Sequence, residues 1–175
     1  MNTADRSIAL IDIALRRRFG FIELMPSYKV LINELGIGNV NNEDDAIRMI
    51  ESWNENDLND IKKLTVKVLY SINEKIKRVY DRDHQIGHSY FLKLKDYETR
   101  DETIKTLKYI WFHEIIPLLQ EYFYDSPEKL KDVLSEEFVI VDENSYEFKQ
   151  MEDFSNEEFL NALKGLIMSR GEQSG

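Results

Sequence analysis

The chain has 175 residues, 42% of them hydrophobic, which is enough to bury the core of about one domain. It contains no cysteine, which excludes disulfides and thiolate-bound metals, and no apolar run of about 18 residues that would cross a membrane. No basic segment leads into an apolar signal core at the N-terminus, so the sequence predicts a cytoplasmic protein.

The net charge of −10 is concentrated towards the C-terminus. Residues 101–175 carry seventeen carboxylates against seven cations, a balance that repels phosphate backbones. We therefore expect no direct contact with DNA through this part. The basic stretch from Lys62 to Arg100 is the one candidate for such a contact, but its cations alternate with apolar residues at helical spacing, which favours a solvated helix face.

The first 27 residues predict a helix and a short strand. Ser7 is a suitable cap for a helix that continues to Arg18, with apolar residues on one side at positions i, i+3 and i+7. Apolar and other residues then alternate over 19–24, which is typical of a strand, and Pro26 ends it.

Helical patterns cover much of the remaining chain. They lie at residues 28–35, 43–53 and 56–80, followed by a turn at 81–84 and a further helical segment that begins near Gly87. The longest amphipathic pattern runs from Thr99 to Tyr124. It contains Pro117, which removes one backbone donor and is expected to kink the helix or divide it into two.

The C-terminal part predicts a helix, a hairpin and a last helix. Residues 126–128 place a cap serine before a proline at the first helical position. Apolar segments at 138–141 and 146–148 flank a polar turn, which predicts a β-hairpin. Ser155 is a suitable cap for a final helix over 156–168.

Four short segments resemble signatures of one protein family. They are MNTADRS at residues 1–7, ALRRRF at 14–19, QIGHSYF at 85–91 and IIPLLQEYF at 115–123. In this order they are similar to segments of the McrB-type AAA+ subunits, the GTP-hydrolysing motors of restriction systems that act on 5-methylcytosine. The last two segments resemble signatures of the helical lid of these motors.

The resemblance implies a mainly α fold. Residues 1–27 would be a remnant of the α/β AAA+ core, with its sensor-1 loop, its arginine-finger helix and a strand. Residues 28–170 would be the C-terminal helical lid with a small β-hairpin near 138–149. Residues 171–175 would be a frayed tail.

The sequence lacks the phosphate-binding motif that such a motor needs, because no G-x-x-x-x-G-K-[ST] occurs in it. In the family, this motif, the acidic strand that holds magnesium and the DNA-reading domain all precede the MNTADRS segment. We therefore expect the chain to correspond to the C-terminal piece of a motor, beginning at an internal methionine. Alone it would use no cofactor and be inactive, whereas the intact motor would bind GTP, or ATP, with magnesium.

The resemblance also implies partners. They would be an upstream AAA+ core segment, neighbouring subunits in a homo-oligomeric ring and an McrC-like nuclease. A second interpretation stays open, in which the chain is a helical protein-interaction module that keeps the lid fold without nucleotide chemistry.

Five candidate site residues lie near the N-terminus. By resemblance, Asn2 is the catalytic sensor-1 residue that orients the attacking water, and Asp5 and Arg6 continue the same nucleotide-binding loop. Arg16 and Arg17 end the predicted helix, where a cation stabilises the macrodipole by only about 0.3–1 kcal/mol. By resemblance they lie at the catalytic arginine-finger position, which contacts the nucleotide of the neighbouring subunit.

Gly87, His88 and Ser89 form a second candidate site. AAA+ lids commonly have a sensor-2 arginine at this position, which is absent here, so the resemblance implies a nucleotide contact through these three residues instead. Ordinary packing of His88 is the alternative. We predict no metal site, because the segment that begins at His113 resembles a zinc-protease helix but has Pro117 in place of the second histidine.

Overall fold

The computed structural model describes residues 24–141 and 146–167. The predicted helix ending at Arg18 and nearly all of the predicted strand at 19–24 lie outside the described residues, as does the predicted tail at 171–175. The helices within these ranges are α1 (Tyr28–Glu34), α2 (Glu43–Ser52), α3 (Ile61–Val79), α4 (Arg100–Ile110), α5 (Ile116–Tyr122), α6 (Pro127–Phe138) and α7 (Asn156–Gly165). The strands are β1 (Val139–Val141) and β2 (Tyr146–Phe148).

The first two helices begin at side-chain caps. The Val30 N–H donates to the Ser27 hydroxyl over 3.2 Å, and the Asp45 N–H donates to the Asn42 amide oxygen over 2.8 Å. Both helices end within one residue of the predicted bounds. The apolar periodicity was therefore sufficient to locate them.

Helix α3 begins later than the sequence pattern predicts. A short 3₁₀ turn at Asp57–Asn59 precedes it, and Asp60 then accepts hydrogen bonds from the N–H groups of Lys62 and Lys63 over 2.9 and 3.3 Å. The predicted continuous helix over 56–80 is wrong at its start, because this carboxylate caps a new helix at Ile61. Helix α3 is the centre of the fold and packs against α1, α2, α4, α6 and α7.

The predicted division of the segment 99–124 is confirmed. Helix α4 passes into a π-helical turn at Trp111–Ile115, in which the Ile116 N–H donates to the carbonyl oxygen of Trp111, and α5 then begins with Pro117 in its first turn. A π turn carries one more residue per hydrogen bond than an α turn. Pro117 therefore lies in the first turn of α5, where a backbone N–H would have no partner within the helix, so its absence costs least.

The C-terminal part contains the predicted helix and hairpin, with two differences. Ser126 precedes α6, but its side chain makes no capping hydrogen bond, so that predicted cap is wrong. Strand β1 begins at Val139, because Phe138 still belongs to α6 and is fully buried. The strands pair antiparallel, with Val139 opposite Phe148.

An unusual backbone conformation interrupts α6. Ser135 has φ 62° and ψ 168°, and it is the one residue other than glycine with positive φ in the described ranges. This region of backbone space costs about 1–3 kcal/mol for a residue with a Cβ. The interruption turns the last residues of α6 towards the hairpin.

Helix α7 begins as the sequence predicts. Ser155 accepts from the Glu158 N–H over 3.3 Å, and the Glu158 carboxylate accepts from the Ser155 N–H over 2.8 Å, which forms a capping box. The helix ends at Gly165 rather than at the predicted position 168.

One hydrophobic core joins these elements, from Tyr28 to Leu166. Its C-terminal half is an aromatic cluster centred on Phe138, whose ring lies 5.3 Å from that of Trp111 and 5.5 Å from that of Phe154. No helix in the described part of the chain is long and apolar enough to cross a membrane.

Candidate functional site

Of the two predicted sites, the structure describes the second, at residues 87–89. Asn2, Asp5, Arg6, Arg16 and Arg17 lie outside the described residues, so their roles stay predictions. Gly87, His88 and Ser89 lie within the described residues, in the segment 85–89, which we call the 85–89 loop.

The 85–89 loop lies against the start of α1. The backbone N–H of Ser27 donates to Nδ1 of His88 over 3.0 Å, although the two residues are 61 positions apart in the chain. Because Nδ1 accepts this bond, the neutral imidazole carries its hydrogen on Nε2. The loop therefore lies where the N-terminal segment enters the described fold.

A carboxylate from α2 binds the same helix terminus. Glu43 accepts the Tyr28 N–H over 2.5 Å, the Lys29 N–H over 3.3 Å and the Ser27 hydroxyl over 3.1 Å. The first N–H groups of a helix have no partner within that helix, and a negative charge there is favourable. Glu43 thus fixes the direction in which the chain enters α1.

Asn73, in α3, binds the backbone of the 85–89 loop. Its Oδ1 accepts the Ile86 N–H over 2.7 Å, and its Nδ2 donates to the Ile86 carbonyl over 3.0 Å and to the Tyr28 hydroxyl over 3.1 Å. Asn73 is fully buried in α3, and these bonds satisfy its amide. The sequence analysis missed it, although an asparagine on the apolar face of a helix is a signal for a buried polar contact.

Glycine is not required by the fold at position 87. Gly87 has φ −67° and ψ 144°, a conformation that any residue adopts. A Cβ added there would meet only the Ser89 hydroxyl, at an ordinary contact distance of 3.5 Å. The packing of residues 24–141 and 146–167 therefore gives no reason for a glycine at this position.

Burial sets the protonation state of His88. The ring is half-buried, and loss of solvation lowers its pKa, while the nearby Glu43 carboxylate opposes this in part. The lowered pKa favours the neutral ring that accepts the Ser27 bond. Ordinary packing of His88, the alternative interpretation from the sequence, agrees with this hydrogen-bonded position. A nucleotide contact through His88 stays a prediction.

The lowered pKa of His88 predicts a loss of stability in acid. The unfolded chain, with a histidine pKa of about 6.5, binds more protons than the folded chain, so the His88 contribution is fully present above that pH. It is lost as the pH falls from there through the lowered pKa of the folded state. We expect the unfolding free energies of wild type and His88→Gln, measured by urea denaturation, to converge as the pH falls below about 6.5.

His113 provides the control for this pH effect. The His113 side chain is exposed, and the centroid of its ring lies 4.5 Å from that of the Tyr109 ring. His113→Gln should keep the wild-type pH dependence. If the free energies of unfolding of wild type and His88→Gln changed in parallel with pH, that result would contradict the role given to His88.

The other histidine near the loop is structural. His84 Nδ1 lies 2.7 Å from Asp81 Oδ1, which also accepts the N–H groups of Asp83 and His84. This is an Asx turn and confirms the turn predicted at 81–84. Among the residues that the structure describes, no three histidine, aspartate or glutamate side chains are placed to hold a metal.

Two comparisons identify relatives of the chain. Residues 64–131 match the family described as McrB, alpha-helical lid domain. The chain is also 34% identical over 133 residues to the type IV methyl-directed restriction enzyme EcoKMcrB subunit of Escherichia coli strain K12. That match covers 74% of the chain and 25% of the relative, so the chain spans about a quarter of the length of that relative.

The matched lid segment includes the 85–89 loop, most of α3 and the π turn. The resemblance that the sequence motifs indicate is therefore confirmed for the lid, and the mainly helical fold with a two-stranded sheet agrees with it. Residues 64–131 are an McrB-type alpha-helical lid domain, and the chain is a relative of McrB restriction-enzyme subunits.

Proposed function

We propose that the chain supplies the C-terminal elements of an McrB-like AAA+ motor in a modification-dependent restriction system. Asn2 would act as sensor 1, with Asp5 and Arg6 in the same nucleotide loop. Arg16 and Arg17 would act on the nucleotide of the neighbouring subunit. The lid would close over the nucleotide through the 85–89 loop, with GTP as the favoured nucleotide and magnesium as its metal.

The contact between Ser27 and His88 carries this proposal. Residues 1–27 contain every predicted core element, and they join the described fold at the point where the 85–89 loop packs. An arrangement of this kind supports a nucleotide site formed by both segments, because groups that contact one ligand must lie close together.

Gly87 gives further support. Neither its backbone conformation nor its contacts within the described part of the chain explain its lack of a side chain. Close approach of backbone to a ligand is one of the ordinary uses of glycine. A phosphate or ribose near this loop would supply the missing reason.

The proposed partners follow from the same assignment. An upstream AAA+ core segment would provide the phosphate-binding loop and the magnesium-binding acid, ring neighbours would receive the arginine fingers, and an McrC-like nuclease would act downstream. The relative from Escherichia coli is named as a subunit of a restriction enzyme, which is consistent with assembly of this kind.

The purified chain is expected to hydrolyse neither GTP nor ATP. No phosphate-binding loop is present in its sequence, and phosphoryl transfer needs both the cradle and the metal. Release of inorganic phosphate with and without magnesium measures this. Joining the chain to a core segment that carries the phosphate-binding loop should give turnover, and Asn2→Ala should abolish it.

Two results would contradict the proposal. Magnesium-dependent turnover by the chain alone, abolished by Asn2→Ala, would show that the site is complete without the core segment. A joined protein that is folded but does not bind nucleotide would favour the interaction-module interpretation instead.

Gly87→Val is expected to weaken nucleotide binding by the joined motor without unfolding the lid. The φ and ψ of Gly87 suit valine, and an added Cβ meets only the Ser89 hydroxyl at an ordinary 3.5 Å, so the melting temperature should change little. The branched side chain would obstruct the ligand. Titration with a fluorescent GTP analogue and thermal melting of the same variants measure the two effects.

Gly165→Val is the matched control for this change. A Cβ at Gly165 meets no atom within 4 Å, and the residue ends α7, outside the 85–89 loop. Both its affinity and its melting temperature should match wild type. Unchanged affinity in a folded Gly87→Val protein would remove the loop from the nucleotide site.

A further inference from the structure

We propose that Glu43 and Asn73 are positioning residues that make the start of α1 and the 85–89 loop one mechanical unit. The proposal deepens the proposed function, on which its meaning for nucleotide closure rests. It assigns a role to two residues that no sequence motif identifies. We call the six residues involved the entry clamp: Ser27, Tyr28, Glu43, Asn73, Ile86 and His88.

The hydrogen bonds of the entry clamp form a closed ring. From Glu43 the ring passes to the Tyr28 N–H, and the Tyr28 hydroxyl accepts from Asn73. Asn73 bonds both backbone groups of Ile86. The chain leads from there to His88, which accepts from Ser27.

The ring is completed by the bond from the Ser27 hydroxyl back to Glu43 over 3.1 Å. Four separate segments of the chain are thereby joined, and three members, Tyr28, Asn73 and Ile86, are buried. Hydrogen bonds in a low-dielectric interior reinforce one another, and a broken member leaves a buried partner unsatisfied. Loss of a hydrogen bond at one side of the ring is therefore expected to weaken the hydrogen bonds at the other side.

This arrangement gives the clamp a specific task. Residues 1–27 meet α1 at Ser27, and the 85–89 loop belongs to the lid. A rigid link between the two makes any movement of Ser27 and the start of α1 move the loop as well. Within the described residues, the hydrogen bonds of Glu43 go to the start of α1, and those of Asn73 go to Tyr28 and Ile86. Neither side chain bonds Gly87 or Ser89, so both act through the groups that they hold.

Hydrogen exchange of the full chain tests the link without nucleotide. Glu43→Gln weakens the hydrogen bonds that this side chain accepts from the N–H groups of Tyr28 and Lys29. Because the ring is closed, we expect the Ile86 amide, which Glu43 does not contact, to exchange about tenfold faster. Glu51→Gln is the control. Glu51 lies on the same helix and accepts the Tyr70 hydroxyl over 2.8 Å, outside the clamp.

A purely local role for Glu43 makes a different prediction. The amides of Tyr28 and Lys29 would exchange faster in Glu43→Gln while the Ile86 amide kept its wild-type rate, and that result would overturn the proposal. Glu43→Asp, which keeps the carboxylate, should restore part of the protection at Ile86. Melting temperatures identify any variant in which faster exchange merely reflects general unfolding.

A second pair of variants connects the clamp to nucleotide binding in the joined motor. Tyr28→Phe removes the hydroxyl that accepts from Asn73, and Tyr70→Phe removes a similar hydroxyl outside the clamp from a ring 5.5 Å away. We expect Tyr28→Phe to weaken binding of a fluorescent GTP analogue about threefold to tenfold and Tyr70→Phe to leave it unchanged.

The two experiments separate the clamp from the proposed function. A wild-type joined motor that binds no nucleotide overturns the proposed function, while the exchange of the Ile86 amide still decides whether the clamp is one unit. Equal affinities in Tyr28→Phe and Tyr70→Phe, in a motor that does bind nucleotide, overturn the role of the clamp in closure.

Discussion

Arg16→Ala or Arg17→Ala in an intact motor is expected to lower the catalytic rate by about 10³–10⁵-fold while nucleotide affinity changes little. An arginine finger stabilises charge that develops on the transferring phosphoryl group, and this charge is larger in the transition state than in the bound nucleotide. Single-turnover GTP hydrolysis and nucleotide titration on the same variants measure the two quantities.

Mixed rings distinguish a finger from a helix cap. A finger acts on the nucleotide of the adjacent subunit, so an Arg16→Ala subunit should reduce the activity of its wild-type neighbours. Arg18→Ala is the matched control in the same arginine run and should have a smaller effect. Activities that simply add in mixed rings would support helix capping, worth about 0.3–1 kcal/mol, as the role of the arginines.

Phe138→Ala is expected to destabilise the fold by about 3–5 kcal/mol. The side chain is fully buried at the end of α6, and its ring contacts the rings of Trp111, Phe112, Phe154 and Phe159. Removing it empties the centre of the aromatic cluster, which the neighbours refill only in part. Urea denaturation followed by tryptophan fluorescence measures the change, because Trp111 lies against this ring.

Tyr124→Ala is the control for this loss. Tyr124 is 75% exposed, so its removal should change the free energy of unfolding by no more than about 0.5 kcal/mol. Phe138→Leu, which keeps much of the volume, should lie between the two. A loss below about 1 kcal/mol in Phe138→Ala would mean that the aromatic cluster contributes little to stability.

Much of the helical fold was predictable because its signals are local. Apolar spacing located α1 and α2, and Ser155 as a cap located the start of α7, whereas the capping box with Glu158 was found only in the structure. Asp60 was an equally good local signal for the start of α3, but the longer apolar pattern across it obscured the break. Pro117 indicated a division of the helix, whereas no residue pattern in the sequence indicated that the division takes the form of a π turn at Trp111–Ile115.

The candidate site was predictable only in outline. The motif at 85–91 drew attention to Gly87 and His88, but neither spacing nor composition relates His88 to Ser27, because that contact arises from the tertiary fold. Asn73 carried a detectable signal, since it interrupts the apolar face of α3. Glu43 carried none, because an acidic residue in the first turn of a helix is ordinary and its partners belong to another helix.

The π turn at Trp111–Ile115 also sets the rotational phase of everything that follows it. An α-helix advances about 100° per residue, so the one additional residue in this turn rotates α5 by about that angle relative to α4. Leu119 and Phe123 are buried as a result, whereas a continuous α-helix of the same sequence would direct them about a quarter turn away. The segment therefore behaves as an insertion of one residue that the π turn absorbs. Removing one residue from this turn would let α4 and α5 join as a regular α-helix with Leu119 and Phe123 still directed at the core, so the length of the turn can change without changing which face of α5 is buried.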